Sequence, residues 1–254
     1  MYKEGISMNK PIIIADACAN HLGQRVIMEE MIKKAAEIGI DYLKFQSFKA
    51  DKLNKNWDNY IENHDYYKKH ELSFDDHIFI KLQCNKYNIK PLFTVFDLDS
   101  AEELKALNIE SVKIASPDAN NFELIEYVIE NFNDVFISTG MHNKREIKKL
   151  REFIKYMPTV RLFYCVSKYP TRMEDINFDD MLFFDGFSDH TETLEASKKA
   201  LDLGMGIIER HFTLGKDLPG RDHKLSSTPD EFKELIRHRD YLYKSEQYKT
   251  RWHG

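Results

Sequence analysis

Cysteine is scarce in this chain, and the little there is excludes a disulfide scaffold. Its three residues, Cys18, Cys84 and Cys165, are spread widely through 254 residues and form no C-x-x-C pair. Such usage belongs to a chain kept reduced, so a cytoplasmic location is expected. Long apolar runs are missing as well. No stretch reaches the ~18 residues of a membrane helix, and residues 1–10 lack the apolar core of a signal peptide. An excess of positive charge is also absent. With 37 Lys and Arg against 42 Asp and Glu, the formal net charge is -5. That offers no basic face to nucleic acid and reads as an ordinary solvated acidic surface. No internal repeat, low-complexity tract or linker divides the chain, so one domain is expected.

What is present is a regular alternation. Hydrophobic residues make up 42% and charged residues 31%, the balance of a soluble globular protein with a large core. Short β-rich runs fall at 12–16, 42–46, 91–95, 111–115, 134–138, 160–165, 184–188 and 206–210. Between them lie segments of helical spacing at 26–38, 74–87, 100–107, 121–131, 143–156 and 191–203, with a last one at 228–243. Strand and helix in turn demand parallel strands with right-handed crossovers. Eight such units predict an α/β fold closed as a (β/α)8 TIM barrel, for which ~250 residues is typical; an open doubly wound sheet is the alternative. The expected organisation is an N-terminal extension over 1–10, a barrel over 11–245 and a tail over 246–254.

Local signals mark several boundaries. Ser73 with Asp76 resembles a capping box, Thr228-Pro229 opens the last helix, and Gly39 and Gly204 stand where left-handed caps end helices. Residues 49–70 break the rhythm: a long polar and aromatic stretch after the second strand, expected to be a lid or substrate-facing loop.

Polar residues collect at the carboxyl ends of the eight runs, which a barrel gathers at one mouth. They include Asp16, Lys44 and Gln46, Thr94, Lys113 and Ser116, Ser138, Tyr169, Ser188 with His190, and Glu209 with His211. Lys44 and Lys113 lie inside otherwise apolar strands. A buried ammonium needs a partner, so an anion or carboxylate is expected beside each. With Ser116, Ser138 and Ser188 they would cradle a phosphate and a carboxylate; structural ion bridges are the plainer explanation. His190 and His211 end adjacent strands, and two imidazoles with oxygen ligands suit manganese, iron, cobalt or zinc.

The stretches IIIADACANHLG, DYLKFQSF, VKIASPD, ISTGM, YCVSKYP, GFSDHT and IERHFT, with PGRDHKLS behind, run in order over residues 11–235. In these blocks the chain resembles the sialic acid synthase family. The resemblance implies condensation of phosphoenolpyruvate with an N-acetylated aldose to give a nonulosonic acid and phosphate, in surface polysaccharide biosynthesis. It implies that His190 and His211 hold a divalent metal, with manganese expected, and that Lys44, Lys113, Thr94, Ser116, Ser138 and Ser188 hold phosphoenolpyruvate. By the same resemblance Gln46, Tyr169 and Asp222 orient the sugar. Asp16 and Asp118 stand where the family usually has glutamate, Val95 where it has proline, and Val166-Ser167 where it has a polar pair. Family members usually continue into an antifreeze-like domain, whereas this chain stops at Gly254. The expected partners are therefore a second copy of the chain or a separate protein carrying that domain. A metal-dependent aldolase or lyase, and a non-catalytic sugar-binding subunit of a synthase complex, are the competing readings.

Overall fold

A computed structural model describes residues 9–53 and 60–245, the side chains of 60–62 excepted. Most of the expected N-terminal extension, and all of the expected tail over 246–254, lie outside the described residues. Eight parallel strands close on themselves in sequence order, β1 pairing with both β2 and β8. In chain order they are β1 (Ile12–Asp16), β2 (Tyr42–Ser47), β3 (Lys90–Val95), β4 (Ser111–Ile114), β5 (Asp134–Ser138), β6 (Val160–Cys165), β7 (Gly186–Asp189) and β8 (Ile207–His211). This is a (β/α)8 barrel. The crossovers are carried by α1 (Arg25–Ile38), α2 (Tyr60–His70), α3 (Phe74–Tyr87), α4 (Leu98–Ala106), α5 (Phe122–Asn131), α6 (Lys144–Phe153), α7 (Phe178–Met181) and α8 (Glu195–Asp202), with α9 (Pro229–Lys244) last.

The helix ends follow their local chemistry. Ser73 and Asp76 form a reciprocal capping box at α3, and Thr228 and Glu231 do the same at α9 with proline in the first turn. Gly39 closes α1 at φ 82°, a conformation in which a Cβ would be strained. Three helices depart from the sequence reading, the short α7 being absent from it. The helix expected over 191–203 begins only at Glu195, because Thr191 is engaged in a β-bridge with Thr171. Part of the 49–70 segment is helical rather than loop: α2 packs Tyr67 edge-on against Phe48 at 5.9 Å. Residues 54–59 lie outside the described residues.

Strand side chains alternate between the two faces of the wall. The outward set packs against the helices and forms the main core. The inward set forms a separate cluster of Ile14, Tyr42, Leu92, Phe136, Phe163 and Ile207, which fills the barrel. Phe136 meets Tyr42 and Phe163 edge-on, at 5.9 and 5.7 Å. Gly186 makes room for this plug, since a Cβ there would meet the Phe163 ring at 2.9 Å. Gly186→Ala is expected to destabilise the fold by about 1–3 kcal/mol through overpacking, read as a lower urea midpoint with an unchanged slope. At the other end of the wall Arg239, buried on α9, ties to Asp41 Oδ2 at 2.7 Å.

Candidate active site

Two residues beyond each member of the apolar layer, period-two alternation brings the next side chain inward. Here the chemistry changes. The second layer is Asp16, Lys44, Thr94, Lys113, Ser138, Cys165, Ser188 and Glu209, one residue from each strand and every one buried. The ladder places Asp16 beside Lys44, Thr94 beside Lys113, and Ser188 between Cys165 and Glu209.

Four charges meet in that layer. Glu209 Oε1 accepts from Lys113 Nζ at 2.5 Å and from Ser188 Oγ at 2.9 Å, with Lys44 Nζ at 3.5 Å. Lys44 Nζ lies 2.8 Å from Asp16 Oδ2 and donates to Thr94 Oγ1 at 3.2 Å. Two ammonium groups thus balance two carboxylates, which answers the demand that the strand lysines made for partners. Burial alone would raise the Glu209 carboxyl, but Lys113 and Lys44 outweigh it and hold it below the ordinary glutamate range. Asp16 behaves likewise: burial is overcome by Lys44 and then His211, so its carboxyl is lowered. Burial is also the largest influence on both lysines. In Lys113 it prevails and lowers the ammonium, while in Lys44 the Asp16 and Glu209 carboxylates outweigh it and raise the ammonium. Ser138 Oγ and Glu209 Oε2 are buried without a hydrogen-bond partner, vacancies that a bound polar group would satisfy.

Nearer the opening stand the histidines. The His190 and His211 rings are 5.3 Å apart, centre to centre. His190 Nδ1 is 3.0 Å from the Val166 carbonyl oxygen; a carbonyl only accepts, so Nδ1 carries the proton and Nε2 of the neutral ring keeps its lone pair. Burial, with the His211 ring next, lowers His190 to about 4, so it is uncharged at neutral pH. His211 Nε2 lies 4.0 Å from Asp16 Oδ2. Ligand atoms of Asp16, Cys18 and His211 all lie within 4.8 Å of one another, among the described residues the one trio so arranged. Two imidazoles beside a carboxylate and a thiol are a donor set that fits a divalent transition metal.

The model of the NeuB family matches residues 31–250. The chain belongs to the NeuB family. Among its relatives, the N,N'-diacetyllegionaminic acid synthase of Campylobacter jejuni is 32% identical, over 90% of this chain and 75% of its own. The human N-acetylneuraminate-9-phosphate synthase is 32% identical, over 89% of this chain and 68% of its own. A solved structure of the Leptospira borgpetersenii sialic acid synthetase, in complex with citrate, superposes with a TM-score of 0.87 at 29% identity, covering 93% of this chain and 85% of that one. No helix among the described residues is long and apolar enough to cross a membrane.

In this NeuB barrel the remaining residues singled out from sequence ring the same opening. Gln46 follows Lys44 on the inward face of β2, in register with Thr94. Tyr169, 59% exposed, lies over the His190 ring at 4.4 Å with its hydroxyl 3.4 Å from His190 Nε2. Ser116 sits in a 3₁₀ turn after β4, and its hydroxyl accepts from the Met141 N–H at 2.8 Å. Asp118 closes that turn with Oδ2 buried and unpartnered; burial, with Asp97 next, raises its carboxyl to about 6. Asp222 follows β8 and stands close to Tyr66 of α2, whose hydroxyl is raised to about 12 by burial and then by that carboxylate. With Arg221 over the Tyr66 ring at 5.4 Å, α2 reaches the mouth from the side.

Three members of the site, Cys165, Glu209 and Cys18, have no role assigned from sequence. Glu209 was visible at a strand end, and the spacing Ile207–Glu209–His211 already put it on the inward face. Cys18 lies just past β1, two residues after Asp16, and nothing in its own segment sets it apart.

Proposed function

We propose that this chain condenses phosphoenolpyruvate with the open-chain aldehyde of an N-acetylated aldose of the N-acetylmannosamine type. The products are a nonulosonic 3-deoxy-ulosonic acid and inorganic phosphate. The observation that carries this reading is the second layer of the barrel: two buried ammonium groups ringed by Thr94, Ser138 and Ser188 hydroxyls, directly beneath two imidazoles. The activities named for the NeuB relatives support it.

Lys44 and Lys113 with the three hydroxyls would receive the carboxylate and phosphate, the lysines exchanging part of their contact with Asp16 and Glu209 for the ligand. Ser138, unpartnered in the layer, is free to donate. His190 and His211, with Asp16 close by, would hold a divalent ion such as manganese. When bound, such an ion supplies Lewis acidity to a sugar carbonyl. Gln46, Tyr169 and Asp222 would orient the sugar hydroxyls.

The methylene carbon of the enol attacks the aldehyde carbon, a C–C bond forms, and the aldehyde oxygen takes up a proton. Water adds to the former enol carbon as positive character develops there, and the C–O bond to phosphate breaks. Asp118, near 6, is suited to pass a proton at neutral pH. Holding both reactants in line is worth ~7–11 kcal/mol in well-aligned cases.

The test is phosphate release by the purified chain given manganese, phosphoenolpyruvate and a panel of N-acetylated and plain aldoses. Release that depends on the sugar is the expected result. Release from no member of the panel, with the ion shown to be bound, would overturn the condensation and favour a metal-dependent aldolase.

A further inference from the structure

We infer that the Cys18 thiol is a direct ligand to the divalent ion at this mouth, beside Asp16 and His211, and tilts the site toward zinc and cobalt over manganese. The inference rests on the metal reading given above and adds a sulfur donor to it. Its basis is geometric. Cys18 Sγ, an Asp16 carboxylate oxygen and a His211 ring nitrogen lie within 4.8 Å of one another, with the His211–Asp16 contact already at 4.0 Å. Zinc–sulfur bonds of about 2.3 Å and zinc–nitrogen or –oxygen bonds of about 2.0–2.2 Å put ligand atoms roughly 3.5 Å apart on a tetrahedral ion. Side-chain movement of about 1 Å therefore closes the three around one centre.

The backbone brings the sulfur there. Cys18 has φ 46°, in the left-handed region. Its N–H donates to Asp16 Oδ1 at 3.0 Å, and its thiol lies 3.6 Å from the Asp16 carbonyl oxygen. The turn that ends β1 thus folds residue 18 back over residue 16, beside the end of β8. With His190, whose ring centre lies 5.3 Å from that of His211, the set would be two nitrogens, one oxygen and one sulfur. Thiolate in such a set favours zinc and cobalt, whereas manganese prefers oxygen donors. On coordination the S–H bond breaks, the metal–sulfur bond forms, and the proton leaves to solvent.

The experiment uses the full chain, stripped of metal and titrated with cobalt(II). The wild type is expected to show visible ligand-field bands and a sulfur-to-cobalt charge-transfer band in the near ultraviolet. Cys18→Gly and Cys18→Ser are expected to keep the visible bands, lose the charge-transfer band, release one proton fewer per ion, and lose about tenfold or more of the preference for zinc over manganese. Glycine accepts the positive φ without strain, so C18G tests ligation apart from folding. C84S and C165S are expected to retain the band. Cobalt bound to the wild type without the charge-transfer band, or a band that persists in C18G, would overturn the sulfur ligand and leave the metal site standing. Failure of the wild type to bind cobalt, zinc or manganese would overturn both.

Discussion

Glu209→Ala is expected to cost the folded state about 3–5 kcal/mol, the usual penalty for removing one partner from a buried ion pair. The cause is the fixed arrangement around it: Lys113 at 2.5 Å and Lys44 at 3.5 Å would share the single carboxylate of Asp16. Urea unfolding at pH 7 reads the loss as a lower midpoint. Replacing Lys113 by Met together with Glu209 by Gln removes the pair as a unit and is expected to recover most of it. The pH dependence has a definite sign. The Glu209 carboxyl is depressed in the folded state, so its contribution is complete above the unfolded value of about 4.3 and is lost as pH falls toward the folded one. The gap between wild type and Glu209→Gln should therefore narrow as the solution is acidified below that value. An alanine variant within about 1 kcal/mol of wild type would show that the four charges do not hold the barrel together.

His211→Ala is expected to lower kcat/KM for the proposed condensation by about 10³-fold or more, the rate equivalent of about 4 kcal/mol of lost electrophilic stabilisation. His211 belongs both to the imidazole pair with His190 and to the trio with Asp16 and Cys18. Its loss should empty the site as well as slow the reaction, so ion content is measured alongside rate. His190→Ala leaves the trio intact and should bind the ion more weakly without abolishing binding. Equal ion content in wild type and His211→Ala would remove this residue from the ligand set.

Much of this architecture is legible in one sequence because a barrel repeats a single local rule. Runs such as IIIAD and YLKFQ are short, β-rich and end on polar residues, and the strands fall where those runs lie. Ser73, Thr228 and Gly39 mark their helix ends by chemistry that acts within a few residues. Lys44 and Lys113 announce a need for anions for the same local reason. What the chain does not announce is which anions. Glu209 meets Lys113 across 96 residues of sequence, and only closure of the ring through β8 and β1 sets that register. Cys18 is hidden likewise, since its relation to His211 depends on a left-handed turn and on the pairing of Asp16 with His211. The helix α7, four residues long, is too short to show a period.

The apolar plug of Ile14, Tyr42, Leu92, Phe136, Phe163 and Ile207 makes the barrel a shaft with one open end. Whatever reacts at the polar layer must arrive and depart through a single doorway, past the rims of Tyr169 and Asp222. Traffic in such a shaft is a queue. On the proposed reading the phosphate-bearing substrate seats deepest, against the lysines, and must enter before the sugar that covers it. Phosphate released at that depth waits behind the sugar acid, so the larger product leaves first.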